Sequence, residues 1–329
     1  MPKPKVSVLV TFYNQEEYVD KALESIISQK TDFGIKILVG DDGSSDGTCD
    51  AVNKWIAKYP GTIALHVMDH NDGPKVGGFR ASRNRLNLLK YVDTEYFIYL
   101  DGDDYFDYSG KLQRQVEILD DPANSDCIAC GHNINMLYSD GGLKPAMSYP
   151  LPEGKIALNY YWRKYYIHTD TLLIRSSVIP TFDIELLENH FNDIVITYNI
   201  LQAGKIYYIP ELWAVYAQTG NGVWTSGHEI VNAVRSMMMF DICLIINPKI
   251  SSESKVRFSN IWKSLMKNRK SIASADLKVF SDEALKHNLK YTYQWIHYPE
   301  LSFVDKIKLL AMFISVRFNR LFARIFYGV

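Results

Sequence analysis

Four short apolar runs open the chain, and each of the first three is followed by residues at helical spacing. Lys5–Phe12 is a run of β-branched and aliphatic residues without helical periodicity, which predicts a buried strand. Asn14 offers an N-cap, Glu16 and Glu17 suit a first helical turn, and Tyr18, Ala22 and Ile26 fall on one face. A second strand is expected over Ile35–Val39, closed by the turn-forming stretch Gly40–Gly47, with a helix carrying Val52, Trp55 and Ile56 after it. A third strand, Ile63–Val67, a Gly-rich loop over Asn71–Gly78 and a helix over Arg80–Tyr91 lead into a fourth strand within Glu95–Phe106. Strands alternating with helices predict a parallel, doubly wound sheet whose ligands bind at the carboxyl ends of its strands. Those ends are polar: Tyr13 and Asn14, Asp41 and Asp42, Asn71 and Asp72, and Asp101 to Asp104. Right-handed crossovers bring them to one edge.

Past the fourth strand the pattern loosens. A helix is expected over Lys111–Leu119, then a strand-like run Cys127–Tyr138 interrupted by Gly131-His132-Asn133, a turn at Asp140-Gly141-Gly142 and a strand over Leu172–Arg175. Tyr160, Tyr161, Trp162, Tyr165 and Tyr166 are either flat faces for sugar rings or core residues at helical spacing. Asn192-Asp193 opens a helix with Ile194, Tyr198 and Leu201 on one face, closed by Gly204 as a C′ residue, so Asp193 is readable as a cap alone. From Ile230 the pattern turns helical. Its last segment, 301–326, carries a net charge of +4, with Arg317, Arg320 and Arg324 on one face and Phe318, Leu321, Phe322 and Ile325 on another. Such a helix suits an anionic membrane surface, and equally packing on its own catalytic part or on a second subunit. The expected division is 1–228, with halves 1–108 and 109–228, followed by a helical region 229–329.

Composition narrows the function classes. In 329 residues, 47% of them apolar, there is material for a sizeable core. The 36 basic and 37 acidic residues nearly cancel, which gives no overall pull toward nucleic acid. Cys49, Cys127, Cys130 and Cys243 are too few for a disulfide framework, and a cytoplasmic setting is expected. The pair Cys127 and Cys130 has no second partner pair to complete a zinc site and reads as buried thiols. No signal segment precedes the first strand, and no apolar stretch reaches the roughly 18 residues that span a bilayer.

The candidate chemistry lies at the end of the fourth strand. Asp101, Asp103 and Asp104 follow Glu95–Leu100, and carboxylates this close repel one another unless something positive sits between them. Hard oxygen ligands with open positions suit Mg²⁺ or Mn²⁺, with a diphosphate completing the shell. The bland alternative is a polar loop whose aspartates make turn hydrogen bonds. An EF-hand reading fails, because Tyr105 stands where its third ligand belongs and Leu112 where its closing Glu belongs. The dinucleotide G-x-G-x-x-G after the first strand and the P-loop G-x-x-x-x-G-K-[ST] are both missing.

These residues resemble the inverting family 2 glycosyltransferases with the GT-A fold, over about residues 5–225. The resemblance rests on Val10-Thr11-Phe12-Tyr13-Asn14, on the stretch Val39–Thr48 with Asp41-Asp42-Gly43-Ser44 at its centre, on Ser82-Arg83-Asn84, on Leu100–Tyr105 and on Asn192-Asp193. It implies a mostly parallel, Rossmann-like sheet with helices on both faces and a helical C-terminal extension. It also implies donor contacts from Thr11, Phe12, Tyr13, Asp42, Arg83, Asp101 and Asp103, a Mn²⁺ or Mg²⁺ held by Asp103 and Asp104, and Asp193 as catalytic base. His132, His168, Asp170 and Trp224 fall in blocks similar to the acceptor side of a branch that builds bacterial surface polysaccharides. Two departures stand out: the usual Glu-Asp reads Asn192-Asp193, and Gln218 or Thr219 replaces a His before Gly222.

The activity so implied is transfer of a sugar from a nucleotide-diphosphate sugar, a UDP-sugar by preference, to a saccharide or lipid-linked acceptor. It would take place in the cytoplasm or on the cytoplasmic face of the membrane through 301–326. The physical logic agrees, since a departing nucleoside diphosphate gains negative charge that a divalent cation stabilises, and one carboxylate can take the acceptor proton. A sugar-1-phosphate nucleotidyltransferase is the rival enzyme, but Lys5–Thr11 lacks its Gly-rich basic loop. A non-catalytic sugar- or nucleotide-binding subunit is the rival from another class.

Overall fold

The structure, a computed structural model, describes residues 3–69, 73–74, 76–147, 152–158, 167–219, 229–248, 278–289 and 292. The chain divides into two compact units, Met1–Thr225 and Ser226–Val329.

The first unit is one mixed sheet covered by helices. Its strands are β1 Pro4–Phe12, β2 Gly34–Asp41, β3 Ile63–Val67, β4 Tyr96–Asp101, β5 Tyr105–Phe106, β6 Cys127–Leu137, β7 Leu143–Pro145, β8 Gly154–Ile156, β9 Leu173–Arg175 and β10 Lys205–Ala217. Along the sheet they run β3-β2-β1-β4-β9-β6-β10-β5, with β7 on β6 and β8 on β10. The four expected strands are neighbours and all parallel. Val6, Val8, Leu9 and Val10 are fully buried on both faces of β1, which is why that run shows no alternation. Each such side chain stabilises the fold by about 1.5–3 kcal/mol. The register sets Thr11 beside Asp101, Phe12 beside Asp41 and Asp41 beside Val67, so the polar ends of β1, β2 and β4 share one edge.

The longer helices described in this unit are α1 Glu16–Ile27, α2 Thr48–Lys58, α3 Gly77–Leu89, α4 Lys111–Asp120 and α5 Asp193–Ala203. Asn14 is not the cap of α1. It lies in the left-handed region at φ 50°, and its side-chain oxygen accepts from the Ser45 N–H. The helix N-terminus is instead served from the β2–α2 loop, where Thr48 Oγ1 accepts from the Gln15 N–H and Asp46 from the Glu16 N–H. β6 runs on through Gly131-His132-Asn133, paired there with β10, and with β9 just before it at Ala129 and Cys130. Gly204 closes α5 with extended backbone at φ 176°, so it is no left-handed C′ residue. A side chain there would stand 2.9 Å from the Asp126 carbonyl.

β10 was not anticipated. Pro210 lies inside it, and the ladder to β6 shifts register between Ile209 and Leu212, so the proline sits where the strand bulges and needs no N–H.

In the second unit the described helices are α6 Glu229–Ile246 and α7 Lys278–Lys286. Val234, Met237, Met238, Ile242 and Cys243 of α6 are buried. The Asp241 carboxylate accepts from both the N–H and the hydroxyl of Thr292. No helix among the described residues is long and apolar enough to cross a membrane. The basic segment 301–326, Trp224, Asn71, Asp72 and the aromatic run 160–166 lie outside the described residues.

Candidate active site

The site forms where the carboxyl ends of β1, β2 and β4 meet the N-terminus of α5. Asp41 makes the β2–α2 turn by accepting from the Ser44 N–H at 2.8 Å. Asp42 is buried and bound by both Nε and Nη2 of Arg80 from α3. Thr11 donates its hydroxyl to Asp101 at 3.4 Å, while Tyr13 stands 45% exposed at the mouth of this edge. Phe12 is buried. Its ring fills the space over Gly102, where a Cβ would meet ring carbons at 2.2 and 2.6 Å, so it shapes the Asp101–Asp104 loop rather than facing solvent. Arg83 reaches Asn189, in the loop before α5, through its Nε at 3.0 Å.

At the end of β4, five aspartates crowd together. Asp101 takes both oxygens to Nη2 of Arg85, at 2.6 and 2.7 Å, and its N–H donates to Asp170. Burial, against the pull of Arg85, together with the charge of Asp170 raises the Asp101 carboxyl above the ordinary range. Asp103 is less enclosed and is raised to about 6 by burial and by Asp101. Asp104 is fully enclosed. One of its oxygens accepts from the Ala217 N–H at 2.7 Å, the other has no donor, and burial and the facing Asp170 push its carboxyl far up.

Thr169–Thr171 form a 3-10 turn, capped by His168, that lies across the same end of β4. Burial would lower the His168 imidazole, but the carboxylates of Asp170 and Asp193 outweigh it and lift it to about 10, leaving it an imidazolium. Its Nδ1 lies 3.2 Å from Asp170 Oδ2 and 3.4 Å from the Asp170 N–H, and its Nε2 lies 3.4 Å from Asp193 Oδ2. An imidazolium nitrogen donates, so the carboxylate is the partner that matters and the N–H contact is incidental. Burial pushes Asp170 up, yet His168 and Arg85 hold it below the usual carboxylate range.

Asp193 is the first helical residue of α5, and the cap is Asn192, whose side chain accepts from the Val195 N–H at 3.3 Å. Asp193 accepts from the Thr169 hydroxyl at 3.1 Å, faces Arg85 at 4.0 Å and keeps 21% side-chain exposure. It therefore keeps an open approach beside two cationic side chains, Arg85 and His168.

The donors present fit a divalent cation. Asp104 Oδ2 is buried without a donor, and a buried carboxylate oxygen needs a proton or a cation beside it, whereas Asp170 Oδ2 already faces the His168 imidazolium. Ligand atoms of Asp101, Asp104 and His168 lie within 4.8 Å of one another. Of that set His168 has no lone pair to give and Asp101 is engaged by Arg85, so Asp104 is the member with an oxygen open to a cation, and Asp103, outside the set, is more exposed. Hard carboxylate oxygens select Mg²⁺ or Mn²⁺.

Among the expected acceptor residues, His168 and Asp170 do join the site, as its floor. His132 does not reach it: the ring is fully buried beside Trp213, with Nδ1 2.6 Å from the Asn133 carbonyl. Residues 129–134 of β6 are all buried, so His132 is enclosed with its neighbours on both sides of the strand. Arg80 and Arg85 were missed. The signal available was three arginines on one predicted helix beside a row of aspartates, of which only Arg83 sits in a recognisable block.

A GT-A sheet with paired aspartates ending β4 and a carboxylate opening α5 defines a nucleotide-sugar transferase class. Residues 7–180 match the family model "Glycosyl transferase family 2", more than half of the chain, and the chain belongs to that family. It is 27% identical over 225 residues to an uncharacterised protein of Mycobacterium tuberculosis, a match covering 68% of this chain and 61% of that protein. It is 24% identical over 237 residues to the processive diacylglycerol β-glycosyltransferase of Mycoplasma pneumoniae, covering 68% and 67%. The fold matches S. aureus TarS 1–349 in complex with UDP-GlcNAc, with TM-score 0.60, 17% identity and coverage of 83% of this chain and 77% of that one. It also matches the mannosyltransferase PcManGT of Pyrobaculum calidifontis in complex with GDP-Man and Mn²⁺, with TM-score 0.55, 17% identity and coverage of 97% and 88%.

Proposed function

We propose that this glycosyltransferase moves a sugar with inversion from a nucleotide-diphosphate sugar, UDP-linked by preference, to a saccharide or lipid-linked saccharide of a bacterial surface polymer. The observation that carries the reading is the meeting of two carboxylate sets on one edge. Asp101, Asp103 and Asp104 end β4, and Asp193 opens α5 with its free approach and two flanking cations. Thr11, Tyr13 and Asp42 border the donor side, with Arg80 fixing the Asp42 carboxylate as an acceptor for a base N–H. Asp103 and Asp104 would hold Mn²⁺ or Mg²⁺, whose positive charge stabilises the leaving diphosphate. Asp193 takes the proton of the attacking acceptor hydroxyl, and Thr169 and Arg85 hold the oxygen that stays behind. A single displacement with one base inverts the anomeric centre. Relatives and neighbours support the donor and acceptor classes: TarS is described with UDP-GlcNAc, PcManGT with GDP-Man and Mn²⁺, and the Mycoplasma relative as acting on diacylglycerol.

The test is release of nucleoside diphosphate from a panel of nucleotide sugars with saccharide and lipid-linked acceptors, with Mn²⁺ or Mg²⁺ and with EDTA. Turnover should require the metal and should vanish in Asp103→Ala with the melting temperature retained. NMR of the product from an α-linked donor should show a β-linkage. Full turnover in EDTA overturns the metal role, and an α-linked product overturns the single displacement.

A further inference from the structure

Arg85 belongs to no recognisable block of this sequence, yet its guanidinium lies at the centre of the site. It projects from the middle of α3 with only 9% of its side chain exposed, and its carbonyl accepts from the buried Tyr99 hydroxyl at 3.0 Å. Nη2 donates to both oxygens of Asp101, and Nη1 stands 4.0 Å from Asp193 Oδ1. One rigid fork thus spans the end of β4 and the start of α5, two elements 92 residues apart in sequence, counting from Asp101 to Asp193. Burial works against its charge, but Asp101 and Asp193 overcome that and hold it as a cation.

An arginine buried for stability alone needs one well-placed carboxylate, and Asp101 already provides it with both oxygens. The second contact is the informative one. Asp193 has its other links to Thr169 and His168 on the 3-10 turn, both from the acceptor side. Arg85 is the link from the α3 side, and it sets how far the base stands from the loop that carries Asp103 and Asp104. A displacement of about 1 Å between a base and a reacting centre can cost on the order of 100-fold in rate.

We propose that Arg85 is a positioning residue that fixes Asp193 relative to the donor's leaving group by bridging it to Asp101. This rests on the proposed reading of Asp193 as the base. The guanidinium is suited to the task because its donors are planar and rigid, whereas a lysine ammonium is a point charge on a flexible stem. Arg85 acts through the two aspartates it meets.

The experiment is a double-mutant cycle on the full chain, with Arg85→Gln, Asp193→Asn and the pair, read as kcat, donor KM, UDP affinity by calorimetry and melting temperature. Arg85→Gln is expected to lower kcat by about 30- to 100-fold with UDP affinity changed less than about threefold. In the Asp193→Asn background the same change should lower the residual rate by less than about threefold, because its target is gone. Arg85→Lys should recover part of the rate. Independent effects in the two backgrounds, or a loss confined to melting temperature with kcat kept, would overturn the proposal. Should Arg85→Gln fail to fold, Arg85→Lys takes its place in the same cycle. Parent-like turnover in Asp193→Asn sinks the base assignment itself, whereas an inactive Asp193→Asn beside a fully active Arg85→Gln or Arg85→Lys sinks only the bridge.

Discussion

Asp193, readable from sequence as a helix cap or as the proposed base, is relieved of the capping role by Asn192. Asn192 bonds the Val195 N–H as the cap, while Asp193 stands inside the helix with its carboxylate turned to Thr169, His168 and Arg85. A cap lost to alanine costs about 1 kcal/mol, and a lost general base costs about 100-fold or more in rate. Asn192→Ala is therefore expected to lower the melting temperature while keeping most of the turnover. Asp193→Asn should do the reverse, and equal losses in both measurements from either variant would count against the division. The sequence exposed the aspartates, because several carboxylates ending an apolar run need no partner to be noticed. It hid Arg80, Arg85 and the fate of His132, because which carboxylate an arginine meets depends on the crossing of α3 over β4 and β2. Within a single helix, 80, 83 and 85 look alike.

At the scale of elements, the parallel half of the sheet was legible since β1, β2 and β4 are covered on both faces and read as unbroken apolar runs. β10 was not, because Pro210 and its bulge break the pattern that marks a strand. Helix α4 was legible in its bounds but not in its first residue. Lys111 opens the helix, where a cation opposes the dipole, and it is fully buried with Nζ 2.9 Å from Gln115 Oε1 and 4.1 Å from the Phe106 ring centre. Burial, eased only partly by Asp170, lowers it from 10.5 to about 7. The folded state therefore sheds this proton at about pH 7 and the unfolded chain not until about 10.5. Between those limits the unfolded state binds more protons, so stability from this site rises with pH by up to about 1.4 kcal/mol per unit. Lys111→Met removes the rise. Denaturant unfolding at pH 6.5, 8 and 9.5 should show the variant ahead by most at pH 6.5, with the gap narrowing as pH increases. A gap that stays constant or widens would show that Lys111 is not buried as a suppressed cation.

For the whole molecule, the balance of charge hides an uneven distribution. The chain totals −1, yet 301–326 carries Lys306, Lys308, Arg317, Arg320 and Arg324 against Asp305 alone. Such a segment on a transferase whose acceptor is lipid-linked would bring the site to the acceptor's surface, since each basic residue near an anionic leaflet contributes about 1 kcal/mol. Its Phe318, Leu321, Phe322 and Ile325 would enter the headgroup boundary. Replacing Arg317, Arg320 and Arg324 with Gln removes about 3 kcal/mol of that attraction, on the order of 100-fold in partitioning. In co-sedimentation with vesicles of anionic and of zwitterionic lipid, the parent chain should favour the anionic ones in a salt-dependent way. The triple variant should lose that preference, while its turnover on a short soluble acceptor stays near the parent value. Unchanged binding to anionic vesicles would place the attraction elsewhere on the chain. A fall in melting temperature with no change in vesicle binding would mean that the basic face is spent on packing within the protein or against a second subunit.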